Sequence, residues 1–314
     1  MRVLAAKVAD LGDVLLTTPA INELHQAGCE VDLLIAPHCS GVVAGAPFLR
    51  AVVTTDRDVH LNPLAWRVPE RRARDVEELR RLRRVGYDAL CLFHHLTTWR
   101  GVARWALLTA ILGVPVRAGL DNGRGHFLTH GITDAGFGVV HEADYWLEVA
   151  GAIETPRARG APRRRGAPLW LPASAADRAW ATAWHNREVR GRPYVVVHPG
   201  VGGYIPAKQW PVSHYAALVR RIVGAGYAVA VVGGTRERTL ARACGAGVVD
   251  ECVDLTGRTT IGQTAAVVER SEGFAGNDSF PMHLAAAAQR PTVGIFGPSN
   301  VAAWGPWPAG TPWL

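Results

Sequence analysis

Three loops, each set between a strand-like apolar run and a helical pattern, hold residue types suited to proton transfer and phosphate binding. The first is Lys7–Asp13 (KVADLGD), where Gly12 lets backbone approach a ligand and Asp13 is a candidate general base, with Lys7 and Asp10 beside it. A plain helix cap at Asp10 or Asp13 is the structural alternative. The second runs from His198 through Gly200, Gly202, Gly203 and Tyr204 to Lys208 and Pro211. Glycines there expose backbone N–H groups, proline suits a first helical turn, and Lys208 can neutralise an anion held at the helix start. The third, Gly276–His283 (GNDSFPMH), offers Asp278 and Ser279 as caps or as ligands for sugar hydroxyls, and His283 as a core histidine or a ligand. Gly233-Gly234-Thr235 and Thr256-Gly257-Arg258 complete a rim suited to a nucleotide. No G-x-G-x-x-G follows the first strand, which argues against a nicotinamide-dependent dehydrogenase.

A chain of 314 residues, 48% hydrophobic and 19% charged, reads as a globular protein of about two domains. No apolar run approaches the roughly 18–20 residues of a membrane-spanning helix, and Met1-Arg2 leads straight into a strand-like run, so a cytoplasmic protein is expected. Five scattered cysteines without a C-x-x-C pair indicate neither a disulfide framework nor a zinc site. The net charge of +7 resolves into two local runs, +4 over 67–84 and +5 over 156–166, with −2 elsewhere. That is not a continuous basic stripe, so no specific nucleic-acid partner is expected. Of the 34 basic residues only Lys7 and Lys208 are lysines. In so arginine-rich a chain, a retained lysine points to a need for a compact ammonium rather than a planar fork.

The elements that must position these loops alternate strand and helix. Strands are expected at 2–8, 30–36, 51–55, 87–93 and 115–119, with helices at 14–27, 70–85, 100–112 and 141–153. After a Pro/Gly/Arg-rich segment the pattern restarts, with a helix at 174–187 that stacks Trp180 on Trp184. Strands follow at 194–198, 227–232, 248–253, 272–275 and 292–296, and helices at 211–223, 235–244, 261–270 and 281–288. This alternation predicts two doubly wound α/β domains with parallel sheets, 1–155 and 169–314, joined by a linker at 156–168. In such sheets ligands bind beyond the carboxyl ends of strands.

Taken in order, these motifs resemble glycosyltransferase family 9, the heptosyltransferases typified by ADP-heptose:lipopolysaccharide heptosyltransferases. MRVLAAKVADLGDVLLTTPAINEL is similar to the family's opening strand, its LGD turn and its TxPA helix, and HPGVGGYIPAKQWP to its phosphate loop. YDALCLFHHLTTWRGVARWALLTAILGVPVRAGLDN resembles the middle segment and HEADYWLEV the bridging helix. VAVVGG, DLTGRTTI and GNDSFPMHLAAAAQRPTVGIFGPSN are similar to three successive donor-side motifs. The resemblance covers nearly the whole chain. It implies a GT-B architecture: two Rossmann-like domains facing a cleft, with the acceptor on the first and the nucleotide sugar on the second.

The same resemblance implies inverting, metal-independent transfer with Asp13 as base and Lys208 on the leaving diphosphate. The implied donor residues are Gly12, His198, Gly202, Gly203, Tyr204, Gly234, Thr235, Thr259, Asp278, Ser279, Phe280, Met282 and His283. Lys7, Asp10, His94, His95, Thr97 and Arg124 are assigned to the acceptor side, together with Thr98. Phe280 replaces a family glycine, Gly203 and Tyr204 replace hydroxyl residues of the phosphate loop, and Arg236-Glu237-Arg238 stands where acidic residues are usual. Leu314 comes soon after the last motif, without the C-terminal helix usual in the family. The expected activity is transfer of a heptose or related sugar from a nucleoside diphosphate, taken as ADP, to an acceptor hydroxyl, with no metal or other cofactor. A small natural product competes with lipopolysaccharide as acceptor. A GT-B sugar-nucleotide 2-epimerase and a noncatalytic nucleotide-sugar-binding relative are the alternatives.

Overall fold

The computed structural model of the chain describes residues 1–55, 69–154, 167–202, 206–248 and 250–308. The chain divides into two compact units, Met1–Ser40 with Ala46–Arg165, and Gly41–Gly45 with Gly166–Leu314. The expected linker, 156–168, lies almost wholly outside the described residues.

The first unit carries six parallel strands, β1 (Arg2–Lys7), β2 (Glu30–Ile35), β3 (Ala51–Thr54), β4 (Ala89–Leu92), β5 (Val116–Asp121) and β6 (His130–Thr133), in the order β3-β2-β1-β4-β5-β6. Val3–Ala6 and Ala89–Leu92 are completely buried, as expected of central parallel strands covered on both faces. The chain winds outward from β1, then returns to β1's other side. The winding reverses between β1 and β4, so the loops after those two strands meet at this sheet's switch point. Lys7 stands at the end of β1, and Phe93–Thr98 follow β4.

The expected helix over 14–27 is two, α1 (Leu11–Leu15) and α2 (Thr18–Gln26). Pro19 is the reason: it has no N–H to continue the ladder, and its ring would collide with the carbonyl of Leu15. The Thr17 hydroxyl donates to the Val14 carbonyl and the Thr18 hydroxyl to that of Leu15, both at 2.7 Å, so the break leaves these acceptors satisfied. The Arg-rich helix α3 (Pro69–Val85) forms as expected and buries Leu79 and Leu82 in a cluster with Leu4, Leu34, Leu90 and Leu112. Helices α4 (Trp99–Leu112) and α5 (Glu142–Gly151) complete the unit. The strand β6 escaped sequence reading because HGIT has no apolar run of its own and exists by pairing with β5.

The second unit carries five parallel strands, β7 (Tyr194–His198), β8 (Ala228–Val231), β9 (Cys252–Asp254), β10 (Gly273–Asn277) and β11 (Thr292–Ile295), in the order β11-β10-β7-β8-β9. Its helices are α6 (Ala175–Trp184), α7 (Val212–Gly224), α8 (Arg238–Cys244), α9 (Ile261–Arg270), α10 (Phe280–Ala287) and α11 (Val301–Trp304). The winding reverses between β7 and β10, so the loops after those two strands meet at this sheet's own switch point. α6 starts at a capping box, Ser174 with Asp177, and ends in a π-helical turn, His185–Val189. Trp180 and Trp184 stack as the i, i+4 spacing predicts, at 6.5 Å and 7°, and Trp184 also meets Tyr194 edge-on at 5.3 Å.

Trp184 is completely buried, so Trp184→Ala removes a large apolar volume that α6 and β7 cannot close. A loss of about 3–5 kcal/mol is expected, read as a fall in the urea midpoint of the second unit.

Candidate active site

In the first unit, chemistry gathers where β1 and β4 end. Lys7, the last residue of β1, is 4% exposed, and its Nζ lies 3.8 Å from Asp13 Oδ1, 3.8 Å from Glu142 Oε2 and 4.2 Å above the Trp146 ring. An ammonium so buried requires such partners, because isolated burial of a charge is prohibitive. Asp13 is the exposed end of the set, its side chain 30% open to solvent against 3% for Glu142. Asp10 precedes α1 in extended conformation, Gly12 lies inside its first turn, and Asp13 Oδ2 accepts from the Asp10 N–H at 3.4 Å. Asp13 therefore serves the helix start and keeps Oδ1 toward Lys7.

The two histidines after β4 have separate jobs. His94 Nε2 accepts from the Val8 N–H at 2.9 Å, which ties the ends of β1 and β4 together, and its ring packs on Trp105. His95 is held from both sides, Nδ1 at 2.9 Å from Asp134 Oδ2 and Nε2 at 2.8 Å from Glu142 Oε1. Burial alone would push the imidazole down, but the carboxylates of Glu142 and Asp134 outweigh it and hold it above the usual histidine value. Phe137, Tyr145 and Trp146 wall this ring. Thr98 caps α4 through the Gly101 N–H, while Arg124 donates to the carbonyls of Leu96 and Thr97 and lies over the exposed Trp99.

In the second unit, Lys208 ends a short 3-10 turn just before α7, and its Nζ donates to Asp278 Oδ2 at 2.7 Å. Asp278 follows β10, so the ion pair joins the α7 entrance to the β10 end. Asn277, completely buried, fastens the same junction: Nδ2 donates to the Pro199 and Gly200 carbonyls, and Oδ1 accepts from the Trp210 N–H. Gly202 turns the loop after β7 in the left-handed region, φ +67°. Gly203 and Tyr204 lie outside the described residues.

His198 is a buried histidine whose Nδ1 donates to the Val232 carbonyl at 2.8 Å, and burial pushes it below the usual value. Gly234 and Thr235 open the turn after β8. Glu237 folds back over that turn toward Gly200, where an added Cβ would stand 2.5 Å from Glu237 Cγ. Thr259 pairs its hydroxyl with that of Thr264. Ser279 precedes α10 and donates to the Asn277 carbonyl, and Phe280 begins the helix. Met282 and His283 are buried in α10, Met282 with its sulfur against Gly294.

Sequence reasoning gave Asp134, Glu142, Asn277 and Glu237 no part in the site. A signal existed for Glu142, an acid in the first turn of the predicted helix at 141–153, where it favours the helix dipole. Asp134, on a loop after an unrecognised strand, carried none. Among the described residues, no group of three or more His, Cys, Asp or Glu is arranged to hold a metal ion, and no helix is long and apolar enough to cross a membrane.

Two all-parallel sheets, each with its polar loops at its own reversal of winding, define an α/β fold of the GT-B class. Residues 78–311 match glycosyltransferase family 9 (heptosyltransferase), and the chain belongs to that family. It is 33% identical over 113 residues to lipooligosaccharide heptosyltransferase 2 of Haemophilus influenzae, a match covering 35% of this chain and 32% of that one. The aligned part thus spans about a third of such relatives. Lipopolysaccharide heptosyltransferase 1 of Pseudomonas aeruginosa is 26% identical over 315 residues, covering 96% of this chain and 79% of its own. An Escherichia coli heptosyltransferase solved with ADP shares the fold with a TM-score of 0.76 at 20% identity, over 100% of this chain and 92% of that one.

A histidine whose proton affinity is raised by folding adds stability that is complete below its unfolded pKa, about 6.5, and is lost as pH rises through the folded value. His95→Gln should therefore lower the urea midpoint of the first unit most near pH 6, by the equivalent of about 3–5 kcal/mol for a broken buried pair. The gap from wild type should narrow toward pH 9, and a gap constant across that range would contradict the reading.

Proposed function

We propose that this protein transfers a heptose or related sugar from ADP to an acceptor hydroxyl with inversion, working in the cytoplasm without a metal. The observation that carries the reading is the placing of the two lysines. Each sheet presents one of them at its own switch point, paired with an aspartate: Lys7 with Asp13, and Lys208 with Asp278.

In this reading the exposed Asp13 carboxylate accepts the proton of the acceptor hydroxyl as its oxygen bonds to the anomeric carbon. The bond from that carbon to the diphosphate breaks on the opposite face, and its electron pair leaves on ADP. Lys208 releases Asp278 and neutralises the departing charge, supported by the N-terminus of α7. Asp278, freed, is left to accept hydrogen bonds from the donor sugar. The ADP in a relative's structure and the heptosyltransferase names of the relatives support the donor class. The acceptor is left to experiment, with a small hydroxylated natural product and lipopolysaccharide core sugars as the two classes to try.

The test incubates the full chain with ADP-heptose and an acceptor panel in EDTA and follows ADP release. Asp13→Ala should cut acceptor-dependent release about 10²–10⁴-fold with ADP affinity unchanged; transfer at the wild-type rate would remove Asp13 as base. Release of an isomerised sugar nucleotide without acceptor would replace the reading with an epimerase.

The ion pair of Lys208 is tested by calorimetry with ADP alone. Lys208→Ala should weaken ADP binding about 10–100-fold, the worth of a charge-assisted contact. Asp278→Asn should tighten it several-fold, since the carboxylate no longer competes for the ammonium. Weaker ADP binding in Asp278→Asn would show that the pair is structural.

A further inference from the structure

Five ionisable side chains, acid and base by turns, run in one file through the first unit: Asp134, His95, Glu142, Lys7 and Asp13. The inner four are buried, with side-chain exposures of 3–6%, and only Asp13 reaches solvent. Glu142 is the middle member and spends its two oxygens in opposite directions, Oε1 on His95 at 2.8 Å and Oε2 toward Lys7 at 3.8 Å. Lys7 stands at the same 3.8 Å from Asp13, so its ammonium is shared evenly between the two acids.

We propose that His95 is a positioning residue for Asp13: by engaging Glu142 from the far side, it sets how much of the Lys7 ammonium is left for Asp13. This rests on reading Asp13 as the base. With a cation at His95, Glu142 is partly neutralised and Lys7 stays divided. With a neutral group there, Glu142 draws Lys7 inward and Asp13 loses its nearest cation. Removing the charge of Glu142 does the reverse and gives Lys7 wholly to Asp13. Among the described residues, the file also meets Tyr145 and the rings of Phe137 and Trp146 at His95, Trp146 at Lys7, the Gly136 N–H at Asp134 and the Asp10 N–H at Asp13. Tyr145 already exchanges hydrogen bonds with the Ala135 N–H and the Gly136 carbonyl, and burial holds its phenol above the usual range, so it adds no charge near neutrality.

The two substitutions therefore act on Asp13 with opposite sign, which a merely structural role for His95 would not produce. The full chain is labelled with ¹³C at its aspartate carboxyl carbons, the Asp13 resonance is identified by its loss in Asp13→Asn, and each variant is titrated from pH 4 to 9 by NMR. The Asp13 midpoint should rise by about one pH unit in His95→Gln and fall by a similar amount in Glu142→Gln, the scale of gaining or losing a cation within ~4 Å. Asp134→Asn, a milder change, should move it upward by less than His95→Gln and stands in if that variant fails to fold. Midpoints unchanged in every folded variant, or shifted the same way in His95→Gln and Glu142→Gln, would overturn the proposal. The Asp13→Asn protein assayed for ADP release from ADP-heptose judges the base itself. Full activity there sinks the base reading whatever the titrations show, while an inactive Asp13→Asn with unmoved midpoints sinks only the role of His95.

Discussion

Burying a lysine at the end of a central parallel strand is the constraint around which the first unit is arranged. β1 is paired on both sides and Lys7 at its end is buried, so its ammonium is left in a medium where an unpaired charge is prohibitive. Two carboxylates and an aromatic face answer that requirement, and they come from two places in the chain: Asp13 from the next helix, and Glu142 and Trp146 from α5. Glu142 is itself too deeply buried to carry its charge with a single partner, which brings in His95, and His95 in turn brings in Asp134. Each buried charge calls for the next from Lys7 inward to Asp134, while Asp13, on the other side of Lys7, reaches the surface. Such a network contributes little net stability, because desolvation consumes most of the attraction. What it yields is a carboxylate of defined position at the only end that meets solvent.

The second unit solves a different problem with the same topology. Its switch point must hold a loop rich in glycine. Asn277 does so with three hydrogen bonds from one buried amide, linking the carbonyls after β7 to the Trp210 N–H before α7. Lys208 and Asp278 flank that amide on neighbouring positions of the same two segments. The ion pair therefore sits on a rigid base while its ammonium, with 21% of the side chain exposed, still reaches solvent. An ammonium on a flexible four-carbon stem can exchange a carboxylate for a diphosphate without moving the backbone.

Much of this was legible before any coordinates. Strand and helix alternation, the restart after the Pro/Gly/Arg-rich segment, the three strand-to-helix loops and the two lysines are local or countable features, and the fold class followed from them. Misread elements have local physical causes. Pro19 split one expected helix into α1 and α2, and β6 had too few apolar residues to announce itself. His94 and His95 looked alike in the sequence, yet one joins two strands and the other lies between two carboxylates, a distinction set by residues 39 and 47 positions away from His95.

The amino-acid sequence by itself determined which loops lie at strand ends and which residue types they carry, because hydrophobic period and glycine–proline punctuation act over a few residues. Only the tertiary structure decided which charges meet. Strand order places β4 beside β1 and β10 beside β7, and pairings between segments so far apart in the chain leave no periodic mark in it. The lysine count singled out two positions. The sheets supplied what the count had no means of expressing, an aspartate for each lysine and a buried histidine behind one of the pairs.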